Sequence, residues 1–320
     1  MSGGRTVPPA AIALIAVCAC AFAVRFLPAR VVPNMVWPDE VFQSVEQAHR
    51  VVHGNGVVPW EFRDGLRSWL LPGALAGVVA ATGWTSAGSS GYLDGVAAAL
   101  SLLALAPVIA AFAIARRRSG GGVAEAVAAA VAVACWFELA YFGPKALAEV
   151  VAAHLLVAGL LIADAEGGAS PSRGRIAWAG ACLGLAVALR VHLAPAVLAG
   201  GAWLAWRWPG RARVALLAGA AAPIAVAGLL DLATWGAPFA SYWNNFRANV
   251  LEGRSEAYGV ADWDAYLRVV ARAWWAGALL VVPAAAIGAL RRPAWAATAA
   301  VVLVTHSLMD HKEYRFVFPA

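Results

Sequence analysis

The sequence predicts an all-α integral membrane protein, from its composition, its long apolar runs and the placement of its arginines. Of 320 residues, 62% are hydrophobic and 13% are charged, whereas soluble domains are roughly 45–50% apolar and about 25% charged. The net charge of +6 would also suit a nucleic-acid-binding protein. The arginines, however, fall in short clusters between apolar runs, as in the loops that orient membrane proteins. No nucleic-acid partner is therefore expected.

Apolar runs long enough to cross a bilayer predict about nine transmembrane helices. They occupy residues 8–27, 92–115, 122–142, 147–164, 176–190, 193–208, 213–231, 267–290 and 294–309. The first run follows Arg5 and could be a secretory signal, but many further apolar runs come after it, so we expect a retained span. Residues 1–320 are interpreted as one polytopic domain.

A further stretch, WLLPGALAGVVAATGW at 69–84, is short and contains one proline and three glycines. If it does not cross, all the compact basic connectors share the side of Arg5, which the positive-inside rule makes cytoplasmic. These connectors are Arg116 to Arg118, Arg173 with Arg175, Arg207 with Arg211 and Arg213, and Arg291 with Arg292. We therefore predict a half-buried or re-entrant helix on the outer face, between extracytoplasmic loops at 28–91 and 232–266.

This threading leaves most of the polar groups outside the membrane, in segments far apart in sequence. The outer segments are 28–91, 143–146, 191–192, 232–266 and 310–320. Polar groups held where membrane meets water are candidates for function. No internal repeat is visible, which disfavours a transporter.

The stretch WPDEVFQSVEQAHR at 37–50 places two carboxylates directly after the first span. Pro38 suits the first turn of a helix, and Asp39 and Glu40 would then lie near its positive end, which is stabilising by itself. An apolar stripe of Val41, Val45, Ala48 and Val52 continues the helix until HGNG ends it. Helix capping and catalysis both remain open as reasons for the two acids.

Two later blocks add charge on the predicted outer face. In VPWEFRDGLRS, Trp60 and Arg63 could be interfacial anchors, while Arg67 could hold a phosphate through its fork of donors. In HKEYRFVFP, acids and bases alternate beside aromatic residues, which suggests anion binding balanced by local ion pairs. His306, His311 and Asp310 lack the spacing of a metal-binding motif, so no metal and no other cofactor is expected.

Together these blocks resemble glycosyltransferase family 22, the multispanning mannosyltransferases of N-glycan and GPI-anchor assembly that use dolichyl-phosphate mannose. The family's motifs are matched in order by WPDEVFQSVEQAH, by VPWEFRDGLRS at 58–68, by residues 231–266 and by HKEYRFVFP at 311–319. PKALAE at 144–149 matches a further motif loosely, and Trp37 stands where the family usually has histidine. Relatives continue with more spans beyond HKE, so this chain is short.

The resemblance implies a GT-C fold and an inverting transfer of mannose from a polyprenyl-phosphate donor to a glycan or glycolipid acceptor. The active site would face the periplasm of a bacterium, as the Ala-rich sequence suggests, or the lumen of the endoplasmic reticulum in a eukaryote. Membrane lipids are the only other expected partners. The alternatives are a GT-C transferase of another lipid-phosphate sugar such as arabinose or glucose, a transporter of lipid-linked sugars, and a non-catalytic scaffold.

The resemblance also implies roles for individual residues. Asp39 would be the catalytic base, with Glu40 as the second choice. Arg67, Lys312 and Arg315 would hold the donor phosphate. The remaining substrate-binding candidates are His311, Glu313, Trp60, Glu61 and Tyr258, followed by Lys145 and Glu149. Arg190 and His192 are added as less certain candidates because the threading places them at the outer face.

Overall fold

The computed structural model describes residues 8–32, 36–82, 91–117, 121–164, 172–206 and 208–320. Helix dominates these residues at 82%, and they contain no strand, which confirms the all-α prediction. The helices are α1 Pro9–Val31, α2 Glu46–His53, α3 Trp60–Arg63, α4 Leu70–Thr82, α5 Gly91–Leu103, α6 Ala106–Arg117, α7 Val123–Cys135, α8 Phe137–Phe142, α9 Ala148–Ala163, α10 Arg173–Leu189, α11 Ala194–Trp206, α12 Gly210–Trp235, α13 Ala240–Phe246, α14 Ala265–Trp274, α15 Ala278–Arg291 and α16 Pro293–Ser307.

Within the described residues, the apolar runs predicted to cross the membrane are largely helical. Among the described residues, four helical segments are long and apolar enough to span a bilayer: Pro9–Val31, Gly91–Arg117, Gly210–Trp235 and Ala265–Arg291. The other runs form shorter apolar helices, and some are interrupted, as at Trp136 between α7 and α8. The protein is therefore a multi-pass membrane protein, and the number of nine spans stays a prediction.

The stretch at 69–84 forms α4, which ends at Thr82. Residues 83 and 84 lie outside the described residues, as do Arg5, Arg118 and Arg207. The re-entrant placement of α4 on the outer face also stays a prediction.

The chain divides into two compact units. Unit 1 comprises Met1–Val57 and Pro72–Leu147. Its core joins α1, α6 and α7 through Val17, Ala21, Val108, Phe112, Ala126, Ala130 and Ala134. The alanines of α7 recur every four residues and so form one stripe, whose small side chains let helices in a membrane approach closely.

Unit 2 comprises Val58–Leu71 and Ala148–Ala320. Its core includes buried residues of α9, α10, α11, α12 and α16. Glycines bring α10 and α12 together: a Cβ at Gly180 or Gly184 would overlap the main chain of α12, and one at Gly219 would overlap the main chain of α10. This contact has the small-residue spacing that membrane helices use to pack without large side chains.

Candidate functional site

In unit 1 the two adjacent acids lie in the first turn of a helix, as predicted. Helical backbone begins at Pro38, turns through a π-helical segment at Glu40–Val45, and continues as α2 to His53. Gly54 then ends the helix with a φ of 75°, which confirms the stop predicted at HGNG. The π-helical turn was not predicted, and such turns occur frequently at functional sites.

Glu40 is buried and its carboxylate has two partners. One oxygen, Oε1, accepts a hydrogen bond of 3.3 Å from the amide of Ala146, 106 residues further along the chain. The other, Oε2, lies 3.3 Å from Nζ of Lys145, which is itself buried. Lys145 also lies over the ring of Tyr141, 5.3 Å from its centroid. The structure thus brings together Glu40 of the first predicted motif and Lys145 of the loosely matched one.

Burial raises the pKa of Glu40 above its usual value, although Lys145 and the amide of Ala146 both act in the opposite direction. Asp39, the neighbouring acid, is only half-buried. The two carboxylates therefore differ: Glu40 is held inside the protein by a cation, while Asp39 remains partly accessible.

Unit 2 contains a buried cluster of charges around Arg315, which is 3% exposed. Its NH1 lies 2.9 Å from Oε1 of Glu149, and its Nε lies 2.6 Å from Oε2 of Glu313. Arg190 lies 3.8 Å from the other oxygen of Glu149 and stacks over the ring of Phe316 at 5.2 Å. Four of the predicted site residues are therefore assembled here from three distant segments.

The rest of the HKE motif extends from this cluster. His311 contacts Glu313 through Nε2 at 3.2 Å, and its Nδ1 lies 2.9 Å from the carbonyl of Gly259. The exposed Tyr258 lies beside His311, with 6.2 Å between ring centroids. Lys312 donates to the carbonyls of Ala261 (2.8 Å) and Met309. The predicted outer loop 232–266 and the 311–319 motif are thus in contact.

His192 lies apart from the HKE histidine. Its ring is 6.3 Å from that of His306, whose Nδ1 lies 2.9 Å from the carbonyl of Val302. Within the part of the chain that the structure describes, no three His, Cys, Asp or Glu side chains are grouped as metal ligands.

The loop at 58–68 also belongs to unit 2 and is fixed by α12 and α13. Arg67 donates to Oε1 of Glu61 from NH2 at 2.6 Å and from Nε at 3.2 Å. Its own carbonyl accepts from Nε1 of Trp235 at 3.1 Å, and the carbonyl of Gly65 accepts from Asn244 at 3.2 Å. The half-buried Trp60 begins α3. The second and third sequence motifs are therefore packed together.

Two buried polar residues were not predicted as site residues. Asp231 of α12 accepts from the amide and the hydroxyl of Ser241, at 2.9 and 2.6 Å. Burial and the charge of Asp231 raise the pKa of Tyr242 to about 12. Arg25 lies within α1 and is 1% exposed. An ionisable residue inside an apolar run is a signal that could have singled out both Asp231 and Arg25.

Known proteins share both the sequence and the fold of this chain. The model of the Alg9-like mannosyltransferase family matches residues 16–320. GPI mannosyltransferase 3 of Yarrowia lipolytica is 51% identical over 41 residues, which is 13% of this chain and 8% of that protein. Mannosyltransferase APTG1 of Arabidopsis thaliana is 39% identical over 70 residues, which is 22% of this chain and 12% of that protein.

The fold resembles the crystal structure of ArnT from Cupriavidus metallidurans bound to undecaprenyl phosphate. The TM-score is 0.60 at 15% identity, and the match covers 97% of this chain but 57% of ArnT. This likeness confirms the predicted GT-C fold. The family match over residues 16–320 shows that the chain belongs to the Alg9-like mannosyltransferase family.

Proposed function

We propose that the protein is an inverting glycosyltransferase that moves mannose from a polyprenyl-phosphate donor to a glycan or lipid-linked acceptor at the extracytoplasmic face of its membrane. The observation that carries the proposal is the family match over residues 16–320. The undecaprenyl phosphate bound to ArnT supports a polyprenyl phosphate as the carrier.

The chemistry requires a base for the acceptor and cations for the leaving group. As the acceptor oxygen bonds to the anomeric carbon, its proton passes to a carboxylate. The bond between the anomeric carbon and the phosphate oxygen breaks, and the polyprenyl phosphate leaves with the electron pair. Cationic donors stabilise the charge that develops on that phosphate.

Asp39 is our choice for the base. Glu40 is buried, with one oxygen hydrogen-bonded to the amide of Ala146 and the other paired with Lys145, so an acceptor hydroxyl can approach the half-buried Asp39 more easily. We assign Glu40 to positioning the turn that carries Asp39, with Lys145 as its counter-ion.

Arg67 and Lys312 are our choices for the donor phosphate. Arg67 contacts Glu61 through Nε and NH2, and its planar fork is suited to binding phosphate. Lys312 donates a hydrogen bond to the main-chain carbonyl of Ala261. The deeply buried Arg315, paired with two carboxylates, would position His311 and Glu313 for the acceptor, and Trp60 and Tyr258 would stack on sugar rings.

The test is transfer of label from radiolabelled polyprenyl-phosphate mannose to a lipid extract by the purified protein. We expect transfer by wild type, loss in Asp39→Asn, and retention in Glu46→Gln, a matched control whose amide oxygen can still accept from Val57. Activity that survives in Asp39→Asn but is lost in Glu40→Gln would move the base to Glu40.

The same assay separates the other functions. If the protein transfers arabinose or glucose from their polyprenyl-phosphate carriers but does not transfer mannose, the assignment of mannose as the donor sugar is wrong. Movement of labelled lipid across vesicle membranes without a new glycosidic bond would replace the transferase by a transporter. If neither sugar transfer nor lipid movement is detected, the non-catalytic scaffold is the function that remains.

A further inference from the structure

Arg25 is a fully buried cation near the C-terminal end of the membrane helix α1. Its NH1 donates to the carbonyl of Ala21 at 2.9 Å and to that of Ala134 in α7 at 3.2 Å. Its Nε and NH2 are also buried and have no hydrogen-bond partner. Most of the donor fork is therefore unused.

Arg25 also has no counter-charge within the described part of unit 1. The ion pairs there join Arg30 to Asp94 and Lys145 to Glu40, and neither includes Arg25. A buried guanidinium is costly unless an anion pairs with it. In a membrane helix, an ionisable residue of this kind marks a functional site by default.

Arg25 is one of the residues that line a cavity of about 650 Å³. This volume is in the range of small-molecule sites, about 300–1,000 Å³. The other charged residues of the lining are two cations, Arg30 and Lys145, and two acids, Asp94 and Glu40. Their charges cancel, so Arg25 adds one uncompensated positive charge. The rest of the lining is largely apolar and includes Pro28, Val31, Val32, Leu93 and Val96.

Gly143 lets the Arg25 side chain pack closely against the main chain. A Cβ there would lie 3.0 Å from Cδ and 3.1 Å from Nε of Arg25, and 2.9 Å from the carbonyl oxygen of Leu139. A larger residue at this position would therefore push against the Arg25 side chain. Together with the two hydrogen bonds of NH1, this packing restricts the guanidinium, and a restricted group loses less entropy on binding.

We propose that Arg25 binds the phosphate group of an amphiphilic lipid, whose alkyl part lies along the apolar wall of this cavity. Phosphate matches the planar fork of arginine, and the mixture of one free cation with an apolar lining fits a phosphate attached to a hydrocarbon chain. The donor phosphate has already been assigned to Arg67 and Lys312, so we assign the phosphate of the lipid-linked acceptor to Arg25. This identity rests on the proposed function, whereas the binding itself does not.

The test measures binding without turnover. Purified protein in dodecyl maltoside is titrated separately with dodecyl phosphate at low mole fraction, with dodecanol and with inorganic phosphate. The midpoint of thermal unfolding is measured by tryptophan fluorescence at each ligand concentration. A ligand that binds the native state raises this midpoint according to its concentration and affinity. We expect dodecyl phosphate to stabilise wild type and dodecanol to have no comparable effect.

Arg25→Gln should weaken binding of dodecyl phosphate by about tenfold or more, the loss expected for charged hydrogen bonds. Arg116→Gln, which removes an exposed cation of the same unit that is not among the lining residues of this cavity, should leave the affinity unchanged. A purely structural role for Arg25 would instead lower the midpoint equally with and without ligand. If Arg25→Gln does not fold, Arg25→Lys keeps the charge but loses the fork, and we expect it to bind several-fold more weakly.

Equal affinity for dodecyl phosphate in wild type and in the folded Arg25 variants would overturn the proposal. Inorganic phosphate that binds as tightly as dodecyl phosphate, and depends on Arg25, would keep the phosphate site but overturn its assignment to a lipid. A protein that binds dodecyl phosphate through Arg25 but transfers no sugar would contradict only the proposed function.

Discussion

Removing Lys145 should destabilise the protein far more than removing Arg30, although each cation lies 3.3 Å from a carboxylate. The difference lies in burial: the side chains of Lys145 and Glu40 are both 9% exposed, whereas those of Arg30 and Asp94 are 59% and 35% exposed. At 3.3 Å, Coulomb's law gives about 5 kcal/mol for an effective dielectric constant of about 20 and about 1 kcal/mol in water. We therefore expect Lys145→Met to cost about 3–5 kcal/mol, the range for breaking a buried pair, and Arg30→Met at most about 1 kcal/mol.

The loss in Lys145→Met should depend on pH. Burial already raises the pKa of Glu40 above its usual 4.5, and without Lys145 that pKa should rise further. A carboxyl whose pKa is raised in the folded state destabilises that state as the pH rises through the raised value, because the buried group must then ionise. The defect should thus be full above the raised pKa and shrink as the pH falls below it toward the usual 4.5.

The assay is unfolding of the purified protein in mixed micelles, followed by circular dichroism while the fraction of denaturing detergent is increased. The double variant Lys145→Met with Glu40→Gln should recover most of the stability, because no uncompensated charge remains. An equal loss in Lys145→Met and Arg30→Met, or no recovery in the double variant, would refute the reasoning from burial.

Three further predictions concern unit 2. Gly184→Leu should destabilise the contact between α10 and α12 by about 1–3 kcal/mol, while Gly201→Ala, which has nothing within 4 Å of its Cβ, should be neutral or stabilising; the same unfolding assay compares them. Arg315→Met should cost about 3–5 kcal/mol because it leaves the buried Glu149 with only the more distant Arg190 as a counter-ion. Arg268→Met, which removes surface pairs, should cost at most about 1 kcal/mol. Gly65→Ala should cost about 1–2 kcal/mol, because the φ of Gly65 is 65° and a residue with a Cβ is disfavoured at positive φ. We expect faster amide hydrogen exchange in residues 58–71 of this variant. Unchanged protection of these amides would contradict the prediction.

The sequence predicted the fold well because membrane helices are encoded locally. A continuous apolar run has few ways to satisfy its main-chain groups in lipid except as a helix, so the described residues of the nine predicted runs are largely helical. The end of α2 was also predictable, because Gly54 adopts a left-handed conformation that glycine favours. What local patterns did not reveal was the π-helical turn, since the stripe of Val41, Val45, Ala48 and Val52 fits the ordinary α-helical repeat.

The candidate site was predicted as a set of residues but not as a set of pairs. Local sequence shows that Glu40, Lys145, Glu149 and Arg315 are charged, but not which distant residue each one contacts. The structure pairs Glu40 with Lys145 and Glu149 with Arg315. Lys145 and Glu149 were ranked low because their motif matched only loosely, although both are buried.

The π-helical turn at Glu40–Val45 determines that Glu40 points inward toward Lys145. Successive residues of an α-helix are separated by about 100° around its axis, and a π-helical turn takes up one residue more than an α-helical turn. Winding the same residues as a regular α-helix would therefore rotate everything before the turn by about that angle relative to α2. Val41 would then take the direction that Glu40 has now, and Glu40 would turn away from Lys145. The backbone form of this one turn thus decides whether a carboxylate or an apolar side chain faces the buried cation, without any change of sequence.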